Sequence, residues 1–106
     1  MSLADEAPTE AAKASPREVA QLEKELDGWA VLSDAGMQKL VKEYTFPTFA
    51  DAMVFVNKVG AIAEDFGHHP EITFTWGRAT VRWWSHSMGG LTRNDFIMAA
   101  KTDTAR

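Results

Sequence analysis

The sequence has no cysteine, so disulfides, thiolate metal ligands and a cysteine nucleophile are all excluded at once. It also lacks an excess of positive charge: Lys and Arg number 11 against 15 Asp and Glu, a formal net charge of −4. A general electrostatic attraction to nucleic acid or to an anionic membrane surface is therefore not expected, and neither is a direct nucleic-acid partner. No apolar run approaches the roughly 20 residues that a membrane helix needs. The first fourteen residues, MSLADEAPTEAAKA, contain three acids and no apolar stretch, which fits neither a secretory signal nor an acid-poor transit peptide. The expectation for 1–14 is a disordered acidic lead-in, and for the protein a cytoplasmic location.

What remains is ordinary for a folded domain. At 106 residues, 45% apolar and 25% charged, the chain fits one domain around one modest core. Ser15-Pro16-Arg17-Glu18 reads as a capping box with proline in the first turn, opening a helix that carries Val19, Leu22 and Leu26 and ends near Gly28. Trp29 to Ser33 predicts a strand, Asp34-Ala35-Gly36 a turn and Met37 to Phe46 a second strand, although the KLVKEY pattern alone would also suit a helix. Thr48 caps the clearest element, a helix to Phe66 with two adjoining apolar stripes. One stripe is Phe49, Met53, Val56, Gly60 and Ala63; the other is Phe55, Val59, Ile62 and Phe66. That arc exceeds the roughly 100° one core contact requires. Either the small domain wraps this helix deeply, or one side of it meets another subunit.

Glu71 to Trp76 and Ala79 to His86, joined through Gly77-Arg78, predict an antiparallel hairpin, and Thr92 to Asp95 opens a last helix. The order α-β-β-α-β-β-α gives an α+β single domain, a four-stranded antiparallel sheet with helices on one face.

The three histidines are His68, His69 and His86. His68-His69-Pro70 follows the long helix, and the hairpin can return His86 to its neighbourhood. Such junctions over a rigid sheet commonly display reactive groups, and imidazole titrates near 6.5, which suits proton transfer at neutrality. A surface turn is the plain alternative. Zinc is another, but there is no HxxxH helix pair to support it.

The stretch from Glu64 to Asp95 resembles the signature of the pterin-4a-carbinolamine dehydratases, a family also known as dimerisation cofactors of a hepatocyte transcription factor. Glu64 stands four residues before His68-His69-Pro70, Trp76 follows, His86 comes ten residues after Trp76, and Asp95 closes the pattern. Gly28-Trp29, Phe46 to Phe55 and Gly90-Leu91-Thr92 extend the resemblance over about residues 15 to 103. Two departures bear on pocket shape and substrate preference. Gly67 replaces the Asp or Asn of many members, and Trp83-Trp84 are bulkier than usual.

The resemblance implies the same element order and a dehydratase domain over 15–106. It implies elimination of water from a 4a-hydroxytetrahydropterin, with neither cofactor nor metal. It further implies His68 and His86 as a proton-transfer pair and His69 completing the catalytic trio while holding the pterin. Glu64 and Trp76 would contact substrate, and Asp95 would support the site. Which histidine is acid and which is base stays open, and Asp95 reads equally well as a helix cap. The partners implied are a small pterin, a second copy of the chain in a homodimer or homotetramer, and a transcription factor or hydroxylase.

Overall fold

The computed structural model describes residues 2–106. Its regular elements are α1 (Pro16–Glu23), β1 (Ala30–Asp34), β2 (Met37–Thr45), α2 (Phe49–Phe66), β3 (Glu71–Thr75), β4 (Arg78–Trp83) and α3 (Arg93–Asp103). The four strands form one antiparallel sheet in the order β1-β2-β4-β3, so the two hairpins lie side by side with β2 against β4. The α+β order and the antiparallel sheet expected from the sequence are the ones observed.

Local chemistry accounts for the element starts. Ser15 and Glu18 form the expected capping box, and Thr48 accepts the Asp51 N–H at 3.1 Å. At α3 the Asp95 carboxylate accepts the Thr92 N–H at 2.9 Å, while Asp95 N donates to the Thr92 carbonyl at 3.0 Å. α1 stops at Glu23, short of Gly28, because the chain tightens: Glu25 N donates to the Leu22 carbonyl and Leu26 N to that of Glu23. Gly28, at φ 81°, then turns the chain into β1. Ala35 and Gly36, both at positive φ, make the two-residue turn between β1 and β2.

Alternation along the central strands sends Leu40 and Tyr44 of β2, and Ala79, Val81 and Trp83 of β4, to one buried face. Phe55 and Val59 of α2 and Phe96, Ile97 and Met98 of α3 cover that face, each such side chain stabilising by roughly 1.5–3 kcal/mol. Tyr44 and Phe55 meet with ring centroids 4.5 Å apart. Burial, reinforced by a hydrogen bond to Asp103, pushes the Tyr44 phenol above its ordinary range, so it stays neutral.

Two expectations are corrected here. The deeply enclosed helix is α3, with Asp95 to Ala99 all buried, whereas α2 buries only Ala52, Phe55, Val59 and Ala63 and leaves Phe49, Met53, Val54 and Phe66 exposed. Deep wrapping of α2 is thereby removed as the explanation of its wide arc. Secondly, residues 2–14, expected to be a disordered lead-in, lie along α3. Leu3 is buried in a single 3-10 turn, and Ala14 N donates to the Leu91 carbonyl at 2.8 Å.

Candidate active site

The C-terminal end of α2 delivers the histidine pair. Gly67 adopts φ 65° and closes the helix by donating to the Ala63 carbonyl. That left-handed conformation suits glycine best and Asn or Asp next, so Gly67 fits the position without strain. The chain then leaves through His68, His69 and Pro70 into β3.

His68 is fixed on two sides. Its ring stacks on Trp83 at 5.5 Å and 25°, and Trp83 is itself held by Nε1 donating to Thr102 Oγ1 at 2.9 Å. The His68 Nε2 lies 2.7 Å from Asp95 Oδ1. Asp95 is fully buried, and its Oδ2 also accepts from Ser85 Oγ and the Thr92 N–H, each at 2.9 Å. Capping α3 and bracing an imidazole are thus one arrangement, one carboxylate oxygen serving each. With Nε2–H donating to the Asp95 carboxylate, Nδ1 of His68 is left for other chemistry.

His69 is more exposed and bonds through Nε2 to Glu64, a carboxylate one turn back at the end of α2. His86 is not the last residue of β4. Pairing with β2 ends at Leu40 opposite Trp83, and Ser85 forms an isolated bridge with Gly90. His86 therefore opens a 3-10 turn, His86–Met88.

All three histidines line one open cavity of about 550 Å³, a size ordinary for a small-molecule site. Trp84, Ser85, Thr92 and Asn94 complete much of its wall, and Thr9, Glu10 and Ala11 form another part. Trp76 is not among them. The tight turn is Trp76-Gly77 rather than Gly77-Arg78, so Trp76 caps the hairpin at the far end of the sheet, 71% exposed. The length of β4, roughly 17 Å, lies between it and the histidines.

The indole at the cavity is instead Trp84, over whose ring Lys39 Nζ sits at 4.0 Å. In sequence Trp84 is one of three tryptophans able to stack a planar ring, of which Trp76 is the one put forward, while Thr92 reads as a helix start and Ser85 only as a neighbour of His86. Among the described residues no three His, Asp or Glu side chains group as metal ligands.

The chain is similar to known proteins over most of its length. Residues 12–105 match the family model described as pterin 4 alpha carbinolamine dehydratase. A relative from Chlorobium limicola, provisionally named a pterin-4-alpha-carbinolamine dehydratase, is 53% identical over 85 residues, 80% of this chain and 75% of its own. One from Syntrophotalea carbinolica with the same provisional name is 49% identical over 90 residues, 85% and 80% of the two chains. A crystal structure of a transcriptional coactivator/pterin dehydratase from Brucella melitensis superposes with a TM-score of 0.80 at 27% identity, covering 88% of this chain and 97% of that one. A pterin dehydratase-like protein identified as a RuBisCO assembly factor in the alpha-carboxysome shares the fold at TM-score 0.62 and 21% identity, covering 74% and 89%.

Proposed function

Since the chain belongs to the pterin-4-alpha-carbinolamine dehydratase family, we propose that it is a hydro-lyase that converts 4a-hydroxytetrahydrobiopterin, or a close 4a-hydroxytetrahydropterin, to the quinonoid dihydropterin and water. The observation that carries this reading is the convergence of His68, His69 and His86 on one cavity, with His68 braced by a buried carboxylate.

The reaction breaks the C4a–O bond and the N5–H bond and forms the C4a=N5 double bond. Hydroxide leaves poorly, so an acid must protonate the departing oxygen, and a base must take the N5 proton. We assign the base to His68. When its Nδ1 gains a proton, the Asp95 carboxylate at Nε2 stabilises the resulting imidazolium. His86, on the turn across the cavity, supplies the proton to oxygen, and the proton taken from N5 restores the balance through water. His69, oriented by Glu64, holds the pterin. Trp84, rather than Trp76, offers the planar substrate an apolar surface in a single chain. No electrons are transferred in this sequence, so it draws on neither a redox cofactor nor a metal.

The physiological setting that fits is recycling of pterin after aromatic hydroxylation, in the cytoplasm. The exposed stripe of α2 fits a homodimer or homotetramer, and a transcription-factor helix would compete for the same face. The test is to follow the disappearance of a 4a-hydroxytetrahydropterin with and without protein, before and after chelator treatment. A rate above the uncatalysed background, unchanged by chelation, is expected. Loss on chelation with recovery on adding zinc would overturn the proton-transfer assignment.

A further inference from the structure

Residues 2–11 precede the segment matched by the family model, yet three of them, Thr9, Glu10 and Ala11, line the cavity that holds the histidines. They are held there by a series of contacts along α3. Leu3 is buried, and Lys101 Nζ donates to the Ala4 carbonyl at 2.7 Å. Arg93 grips Glu6 with Nε at 2.9 Å and Nη2 at 2.7 Å, a bidentate pair. The Arg93 guanidinium holds the Glu6 carboxyl below its ordinary value, so this latch is charged at neutral pH. Thr9 N donates to Asn94 Oδ1 at 3.1 Å, and Asn94 Nδ2 returns a bond to the Thr9 carbonyl. Three successive grips thus bring the segment to the mouth of the site, with Glu10 next in the chain.

Among the described residues, Glu10 is the only carboxylate lining the cavity. The two other acids nearby are already occupied, Glu64 by His69 and Asp95 by His68, Ser85 and Thr92. The pyrimidine ring of a pterin presents N3–H and the 2-amino group side by side, two donors whose complement is a pair of coplanar acceptor oxygens. A carboxylate supplies that pair, and Glu10 is exposed and has no hydrogen-bond partner among those described.

We propose that residues 2–14 are a built-in strap forming one wall of the active site, and that Glu10 on it recognises the amino–amide edge of the pterin ring. This rests on the dehydratase reading above for the substrate class. The histidines act at N5 and C4a on the other ring, so Glu10 binds a part of the substrate remote from the chemistry. Its contribution is then similar in ground and transition states, and appears in KM rather than kcat.

The test compares wild type with Glu10→Gln and with a chain lacking residues 2–11. Turnover of 4a-hydroxytetrahydropterin is read alongside calorimetric binding of 7,8-dihydropterin and of its analogue without the 2-amino group. Glu10→Gln should raise KM and the dihydropterin Kd about ten-fold, with kcat within about two-fold, and should erase the preference for the amino compound. Deletion should weaken binding at least as much. Glu10 is exposed, so its variant tests the idea even if the deletion loses stability through Leu3. Unchanged KM, Kd and preference in Glu10→Gln, with an active wild type, overturn the role of Glu10. A wild type that binds dihydropterin through Glu10 but turns nothing over leaves the recognition standing and removes the dehydratase reading. A wild type that does not bind dihydropterin removes both.

Discussion

At the scale of single residues, the site depends on how differently its three imidazoles are held. His68 has one ring face on Trp83 and one nitrogen on Asp95, His69 leans on an exposed glutamate, and His86 lies exposed on a short turn. Replacing His68 or His86 by Ala should therefore lower kcat by about 10²–10⁴-fold, the usual contribution of a positioned acid or base. His69→Ala should act chiefly on KM. All three variants should give native circular dichroism, because none of these side chains is part of the buried core. Full activity in the His68→Ala, His86→Ala double variant would dismiss the mechanism, and unfolded variants would make the histidines structural. The residue types were legible in sequence because the His-His-Pro, His and Asp spacing is unusual. Trp76 misled because position along a strand, not residue type, decides which end of a sheet an aromatic reaches. Trp84 is brought to the cavity only after the ladder has ended at Trp83, an outcome set by pairing with β2 and by the Ser85–Gly90 bridge.

At the scale of elements, local signals sufficed wherever a cap or tight turn sits in the chain itself. Ser15, Thr48 and Thr92 marked helix starts within a residue because each cap is local: the Ser15 and Thr48 hydroxyls accept an amide of their own first turn, and Asp95 accepts the Thr92 N–H. The strap was illegible for the opposite reason. Its grips, Glu6 to Arg93 and Thr9 to Asn94, span 87 and 85 positions in sequence, and an acidic segment without periodicity gives no sign of them. One element carries avoidable strain. Ala35 holds φ 53° at the first position of the β1–β2 turn, the only non-glycine at positive φ among the described residues. Left-handed backbone costs an L-residue about 1–2 kcal/mol, less for Asn or Gly. Ala35→Asn should then raise unfolding stability by about 0.5–1 kcal/mol in urea titration. A neutral or negative shift would show that the turn relaxes in solution to a conformation alanine tolerates.

At the scale of the whole molecule, α2 leaves a row of apolar side chains exposed. Phe49, Met53 and Val54 of α2 are 42%, 43% and 53% exposed, while Phe49 also stacks on Phe74 of β3 and Val56 packs partly against the core. Space is open around Gly60, where an added Cβ would meet nothing within 4 Å, so a second helix could approach the backbone closely there. A lone exposed apolar side chain needs no explanation, but a row of them along an 18-residue helix does. Self-association across this stripe would remove several such side chains from water, each contributing roughly 1.5–3 kcal/mol against the cost of association. Light scattering at micromolar concentration should thus give a mass at least twice the 11.7 kDa of one chain. Met53→Asp places a charge in the middle of the row without touching the core, and should return the mass to that of a monomer while leaving the circular dichroism spectrum intact. The cavity is lined by α3, the strap and the loops after α2 and β4, not by the Met53 face, so the monomeric variant should keep a folded site. A wild type that runs as a clean monomer would refute the assembly and leave the stripe for a partner of another kind. If Met53→Asp is monomeric and also inactive, the active site of one chain is completed by its neighbour.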